Sequence, residues 1–399
     1  MKVEAVPVLR VNLDLRGEAI LVGRLATKDQ QIWFEYDQDF IARNLEISPF
    51  KLPLKPGPQK SKDLVFNGLF GVFNDSLPDA WGKLLLDREL RSRGVKIESL
   101  TALDRLAYVG DRGMGALSYE PDYAIYKNSN KKINIETLAK ESLLTLEGEA
   151  DTAIFELLSL NASAGGARPK IAINLSLDKK KLIHGMEVAD DYEPWLIKFP
   201  ALSDHKDIGA IEYAYSLMAR AAGIEMMPTY LFKAKYFGVK RFDREGSRKI
   251  HVHTASGLLH ADHHYPSLDY ENLLKLCLAL TKDMREVEKV YRLAVFNVLA
   301  HNRDDHSKNF SFMMNTDGAW SFAPAYDLTY SYGPGGEHSM LVMGEGKNPS
   351  REHLMKLAAA FGLKKASEIY DEVSCAVSRW DCFADEAGVT KKSRGMLCG

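Results

Sequence analysis

The densest cluster of chemically capable side chains is His301-Asn302-Arg303-Asp304-Asp305-His306-Ser307-Lys308-Asn309-Phe310. It follows Val287–Ala300, an apolar stretch with helical spacing, and precedes the strand-like run Phe310–Met314. A polar loop wedged between two buried elements must satisfy many polar groups, which is costly unless the loop has a task. Asp304 and Asn309 have the Asp-x-x-x-x-Asn spacing, and Asp327 follows in Pro324-Ala325-Tyr326-Asp327-Leu328-Thr329. Phosphoryl transfer needs such a set. One aspartate orients an acceptor hydroxyl or takes its proton, and an asparagine and a second aspartate hold Mg2+ through oxygen. The bare spacing is common by chance; the flanking helix and strand, His306 and Asp327 give it weight. His306 is expected to brace the loop by a hydrogen bond. Asp305 is expected to be a solvated loop residue with at most a secondary role.

The same chemistry asks for cations, a phosphate cradle and a base slot. Lys198 ends the apolar strand Trp195-Leu196-Ile197-Lys198-Phe199-Pro200, and Glu212, early in the helical stretch Ile211–Ala222, is the candidate carboxylate partner. Asn161-Ala162-Ser163-Ala164-Gly165-Gly166-Ala167-Arg168-Pro169-Lys170 is small and flexible and precedes a strand. Gly165 and Gly166 let backbone N–H groups approach phosphate oxygens, and Lys170 is a second cation. This is neither a Walker A motif nor a full Gly-x-Gly-x-x-Gly. The segment Gly238–Arg244 fits a hinge, with Phe242 placed to stack on a base. His251, His253, His260, His263 and His264 form a looser cluster, but the His-Glu-x-x-His pattern of a metal helix is missing.

These residues need elements to position them. The 399-residue length exceeds one hydrophobic core and predicts two domains or more. Hydrophobic residues at 46% and charged ones at 27% exclude a disordered chain, a collagen and a membrane bundle. A net charge of -2 removes any global electrostatic case for nucleic-acid binding by this chain alone. Four cysteines without a Cys-x-x-Cys pair exclude a disulfide scaffold and a cysteine zinc site. No signal peptide or transmembrane run is read, so the cytoplasm is the expected location, with no membrane partner.

Residues 1–125 read as a β-rich domain with one helix, opened by a hairpin around Gly17. Asp75 or Ser76 is expected to cap that helix, with Pro78 in its first turn and an end near Arg93. Residues 126–153 read as a polar helix and connector. From 154 to 399 strands come first and helices later: a β-rich lobe over about 154–244 and a helical lobe over about 245–399. The expected fold class is α+β.

Together these pieces make the chain similar to the HipA family of bacterial toxin kinases. The resemblance rests on Asp304–Ser311, Pro324–Thr329, Ser163–Lys170, Leu196–Pro200 and Val239–Arg244, and on Phe73-Asn74-Asp75-Ser76-Leu77-Pro78-Asp79-Ala80-Trp81-Gly82 and Gly113–Leu117 near the N-terminus. It covers nearly the whole chain. It implies an atypical two-lobed kinase-like fold behind a small N-terminal domain, and an ATP- and Mg2+-dependent serine/threonine protein kinase. On that resemblance Asp304 is the catalytic aspartate with His306 beside it, and Asn309 and Asp327 hold Mg2+. Lys198, Gly165, Gly166, Ala167, Lys170, Phe242 and Lys308 bind the nucleotide, and Ser163 is an autophosphorylated serine. The implied partners are a protein substrate such as a tRNA ligase and a helix-turn-helix antitoxin, with operator DNA reached only through that antitoxin. Two departures stand out: Arg168-Pro169 precedes Lys170 where relatives often have Gln-Glu, and Lys240 stands where a hinge carboxylate is expected. A small-molecule or lipid kinase, and an idle corepressor that docks an antitoxin, are the rival readings.

Overall fold

Two primed turns set up the N-terminal sheet. Arg16 and Gly17 have φ of 60° and 87°, and Asp29 and Gln30 have 51° and 59°. Two positive values in a row match the twist of the flanking strands, so each pair closes a tight hairpin. The strands Val8–Leu15, Glu18–Lys28 and Gln31–Tyr36 therefore form an antiparallel meander, with Gln59–Lys60 on one edge and Leu117–Glu120 on the other. Leu9, Val11, Val22, Leu25 and Phe34 are fully buried beneath it, and the Phe34 ring lies 4.9 Å from that of Phe73. A buried side chain of this size contributes about 1.5–3 kcal/mol relative to exposure.

The computed structural model describes residues 6–123, 132–149, 153–161, 166–184, 191–266 and 268–397. The chain forms two compact units. The first contains Met1–Asp204, Gly238–His253 and Met314–Gly318; the second contains His205–Phe237, Thr254–Met313 and Ala319–Gly399.

In the first unit the helix Ala80–Ser92 buries Trp81, Leu85, Leu86 and Leu90 along one stripe. Its N-cap is Asp79, which corrects the expected cap at Asp75 or Ser76 and leaves Pro78 outside the helix. Asp75 instead closes the short helix Gly71–Asn74, and its carboxylate accepts from His253 Nδ1 at 2.6 Å. A further helix, Ala102–Val109, adds to the one helix expected in this domain; Thr101 and Asp104 cap it reciprocally. The connector helix Ile135–Glu147 starts at Asn134, whose side chain accepts from the Glu136 and Thr137 amides, and ends at Gly148. After the helix Ile154–Ser159 the strands Lys170–Ser176 and Tyr192–Lys198 pair antiparallel, and Gly238–Lys240 pairs with the latter.

The second unit is mainly helical. Ile208–Ala221, Tyr270–Thr281, Met284–Leu299 and Ala366–Ser378 enclose one core that includes Tyr215, Leu273, Tyr291, Phe296, Phe310 and Phe312. Met284–Leu299 begins at Asp283, whose carboxylate accepts from the Arg285 amide, and ends at Ala300. The short strand Ser311–Met314 follows it in chain order, with Trp320–Phe322 beyond. A two-residue parallel bridge joins Leu268–Asp269 to Met340–Leu341. Among the described residues no helix is long and apolar enough to cross a membrane.

Candidate active site

The loop after Met284–Leu299 turns at His301, with φ of 51°, and Asn302 is tied back to the helix end by its amide to Asn297 O at 2.9 Å. Beyond it the two successive aspartates face opposite environments. The Asp304 side chain is 61% exposed, whereas that of Asp305 is fully buried. A single helical turn, Ser307–Asn309, then leads into the strand. Asn309 Nδ2 donates to Asp304 O at 2.8 Å, which fixes the asparagine against the residue expected to be its catalytic neighbour. With Nδ2 committed, Oδ1 is the atom left for a cation.

Asp327 adopts φ of 57°, a left-handed conformation that Asn and Asp tolerate better than most residues. Its segment is anchored by the Ala325 amide, which donates to Glu225 O at 2.8 Å, and by Tyr326. The Tyr326 hydroxyl donates to Lys308 O at 2.8 Å and is 2.6 Å from Ser311 Oγ. One phenol thus links the Asp327 segment to the Asp304–Asn309 loop and the strand after it. The half-buried Asn309 and Asp327, with exposed Asp304, offer oxygen donors only, a set suited to a hard divalent cation.

Two expectations about this loop need correction. His306 does not brace it: Nε2 stands 4.0 Å from Asp304 Oδ1, and Nδ1 has no hydrogen-bond partner. Asn309, Tyr326 and Asp305 do that work. Asp305 is not solvated; it accepts from Tyr270 Oη at 2.7 Å, from His338 Nδ1 at 3.0 Å, and from the Ser339 and Met340 amides at 2.9 and 3.2 Å. Burial and the neighbouring Asp305 carboxylate push the Tyr270 phenol well above its usual range.

The first unit, taken by itself, holds another group of expected site residues. Lys170 and Lys198 are direct register partners on adjacent strands, and both are buried, at 3% and 9% exposure. Partners in register share one face, so two cationic side chains lie at this end of the sheet. Gly166 has φ of 101°, a conformation that side chains rarely adopt, and it lies beside Lys170, whose Nζ would stand 2.7 Å from a Cβ there. Its amide donates to Asp79 Oδ2 at 3.0 Å, which corrects the expectation that it is open to phosphate. That bond also explains why Asp79 makes no side-chain cap for its own helix. Arg168 is engaged with Asp204 at 3.1 Å, and the Trp81 indole donates to Lys170 O at 3.3 Å. Ala167 is exposed, while Ser163 and Gly165 lie outside the described residues.

Phe242 is half-buried beyond the end of the strand Tyr236–Lys240, and Lys240 pairs with Glu193 at 2.5 Å. Glu212 is 2% exposed on the first half of the second unit's helix Ile208–Ala221. The five clustered histidines separate. His251 and His253 are buried in the first unit against Ile47 O and against Asp75 and Ser48. In the second unit His260 ends the helix Ala255–Leu259 in a left-handed conformation. There Asp262, His263 and His264 bring their ligand atoms within 4.8 Å of one another, but His264 Nδ1 is 2.8 Å from Asp262 Oδ1 within that local turn.

Tyr326, Asp79 and Asp305 were missed as site residues. All three stand inside the quoted motifs, and Asp305 was expected to be solvated. A solved HipA chain from Shewanella oneidensis MR-1, in a toxin–antitoxin complex with HipB and operator DNA, aligns over 98% of this chain and 94% of its own at 16% identity, with a TM-score of 0.68. The Helicobacter pylori proinflammatory kinase CtkA aligns over 50% of this chain and 90% of its own at 12% identity; its TM-score of 0.31 does not amount to a shared fold. No curated protein matches the sequence significantly. The expected α+β class with a β-rich N-terminal domain is the one observed, and it is shared with the HipA structure. The HipA N-terminal domain model matches residues 13–120 and the HipA-like C-terminal domain model matches residues 162–380, more than half of the chain, so this protein belongs to the HipA family.

Proposed function

We propose that this chain is an ATP- and Mg2+-dependent protein serine/threonine kinase, the toxin of a bacterial toxin–antitoxin module. The observation that carries the reading is the loop in which Asn309 is tied to Asp304 and Tyr326 couples both to the segment of Asp327. Asp304, exposed on the loop, orients the acceptor hydroxyl and takes its proton. Asn309 and Asp327 hold the cation through oxygen. When bound, Mg2+ neutralises charge between the phosphates. Lys198 and Lys170 attract the phosphates, with Glu212 as the carboxylate that Lys198 uses and Lys308 as a further cation. Gly165, Gly166 and Ala167 are the proposed nucleotide-loop residues, Phe242 stacks on the base, and His306 is a minor member of the catalytic loop.

The division into 1–125, 126–153 and 154–399 is proposed with it; the family models, over 13–120 and 162–380, lie within its outer domains and support it. A helix-turn-helix antitoxin is the proposed partner, as HipB is for the Shewanella chain, and operator DNA is reached through it, since a net charge of -2 gives this chain no general affinity for phosphate backbones. The protein substrate is a translation protein of the tRNA-ligase class.

The test is phosphate incorporation, read by mass spectrometry after incubation with Mg-ATP, for wild type and Asp304→Asn. Wild type should carry phosphate on Ser163 and should transfer phosphate from ATP to its protein substrate. The variant should lose at least about 10²-fold in rate with an unchanged melt. Equal incorporation by both proteins would overturn the assignment.

A further inference from the structure

The second unit contains a buried hydrogen-bond assembly that none of the roles above uses. Asp305 Oδ2 accepts from Tyr270 Oη and His338 Nδ1, and Oδ1 accepts from the Ser339 and Met340 amides. The network extends inward: Asn297 Nδ2 donates to Tyr270 Oη at 2.9 Å, and Asn302 Nδ2 donates to Asn297 Oδ1 at 2.9 Å. It joins the Tyr270–Thr281 helix, the end of Met284–Leu299, the Asp304–Asn309 loop and the stretch from Ser331 to Gly346.

That stretch begins four residues after Asp327 and returns to the loop repeatedly. The Ser331 amide donates to His301 O at 3.1 Å, and Arg303 Nη1 donates to Tyr332 O at 3.3 Å. The Ser339 amide and hydroxyl both also reach Arg303 O, at 3.0 and 3.1 Å. Gly333, with φ of 72°, sits so close that a Cβ would lie 2.1 Å from Glu337 O and 2.9 Å from Arg303 Cβ. Beyond the contact the chain is held by the bridge to Leu268–Asp269, and the Gly344 amide donates to Asp269 Oδ2 at 2.8 Å. In many kinases the segment after the metal-binding aspartate is ordered only when a phosphate added to it meets arginines. Here a carboxylate from the catalytic loop already fills the place of such an anion, and backbone amides answer it.

We propose that Asp305 is a positioning residue that clamps the Ser331–Gly346 segment to the catalytic loop, so that this kinase is assembled without modification of that segment. The catalytic half of the inference rests on the kinase reading; the clamp itself does not. Because Asp305 adjoins Asp304, the clamp also sets where the exposed Asp304 carboxylate stands. Displacing a catalytic group by about 1 Å costs on the order of 10²-fold in rate.

Hydrogen exchange and kinetics on the full chain test it, with Asp305→Ala and Asp305→Asn compared against wild type. In Asp305→Ala the Ser339 and Met340 amides should exchange on the order of 10²-fold faster, while the helices Arg351–Ala360 and Ala366–Ser378 keep their protection. Its kcat should fall on the order of 10²-fold, with the KM for ATP within about threefold of wild type. Asp305→Asn keeps one oxygen for the amides and should be intermediate in both readouts; it decides the matter if the alanine variant does not fold. Unchanged exchange at Ser339 and Met340 in a folded variant overturns the clamp. Uniform loss of protection across the second unit in both variants also overturns it, since Asp305 would then be a core residue only. If the local exchange rises and wild type itself transfers no phosphate, the clamp stands and the kinase reading falls.

Discussion

Asp243 and Asp305 are both carboxylates with no exposed side-chain surface, and they are held in different ways. Asp243, in the first unit, faces two guanidiniums: Arg241 at 2.9 and 2.7 Å and Arg244 at 2.6 Å, with the Gly115 amide at 2.9 Å. Burial alone would raise its pKa, but Arg241 and Arg244 outweigh burial and hold it below the carboxylate range. Arg244 also donates to Gly113 O and Gly115 O, both at 3.0 Å, so this cluster nails the glycine turn to the chain around Asp243. Asp305 has a phenol, an imidazole and two amides, with no permanent cation among these partners. Permanent charges make an anchor whose loss strands other charges. Uncharged donors make a joint that can be weakened one bond at a time, which suits a place where a loop must be positioned.

The largest effect should therefore be on stability in the first unit. Asp243→Ala leaves Arg241 and Arg244 buried side by side, and losing one member of a buried ion cluster costs about 3–5 kcal/mol. Denaturant titration should show it, and a loss below about 1 kcal/mol would remove the contrast with the joint at Asp305. Asp305→Ala should cost less stability, because only neutral donors and an imidazole are left unanswered.

Acid sharpens the same contrast. His251 is buried against Ile47 O, and burial, with His253 nearby, pulls it down to about 4 despite that bond and the Asp75 carboxylate. Its folded pKa lies below the unfolded value, so the unfolded chain binds the proton first and stability falls as the pH drops below the unfolded pKa of about 6.5. The loss should reach about 2 kcal/mol between pH 7 and pH 5. Asp243, also depressed, contributes stability that is present above the unfolded carboxylate pKa of about 3.9 and drains only as the pH falls further, through its folded value. Melts of wild type and His251→Gln across pH 7 to 5 should thus converge as the pH falls, and a parallel pair of curves would exclude His251.

The hairpin at Gly17, the long helices and the polar loop that carries Asp304 and Asn309 between a buried helix and strand were legible because short-range rules govern them: turn residues, apolar periodicity and spacing within one loop. Lys170 and Lys198 were legible singly, but their pairing depends on strand register, which sequence does not state. Asp305 was misread for a sharper reason. Aspartate in a polar loop is ordinarily solvated, and its partners Tyr270, His338, Ser339 and Met340 lie 33 to 35 residues away in both directions. Asp75 was misplaced likewise, since capping preference is local whereas His253, which claims it, is distant.

The smallest effect tests whether the joint at Asp305 weakens stepwise. Tyr270→Phe removes one hydroxyl that donates to Asp305 and accepts from Asn297. The carboxylate keeps His338 and both amides, and Asn297 Oδ1 keeps its bond from Asn302. Only the Asn297 Nδ2 donor loses its partner, so the cost should be about 1–2 kcal/mol, below that at Asp243. The ring still fills its site against Phe310, 5.8 Å away between centroids, so no cavity term adds to this. Phosphotransfer should slow by no more than about tenfold, because the amides of Ser339 and Met340 still hold the segment. Adding Tyr270→Phe to Asp305→Ala should then cost almost nothing more in rate, since the phenol acts through the carboxylate. Additive losses in that double variant would mean that Tyr270 supports the loop independently, and the joint would be a set of separate contacts.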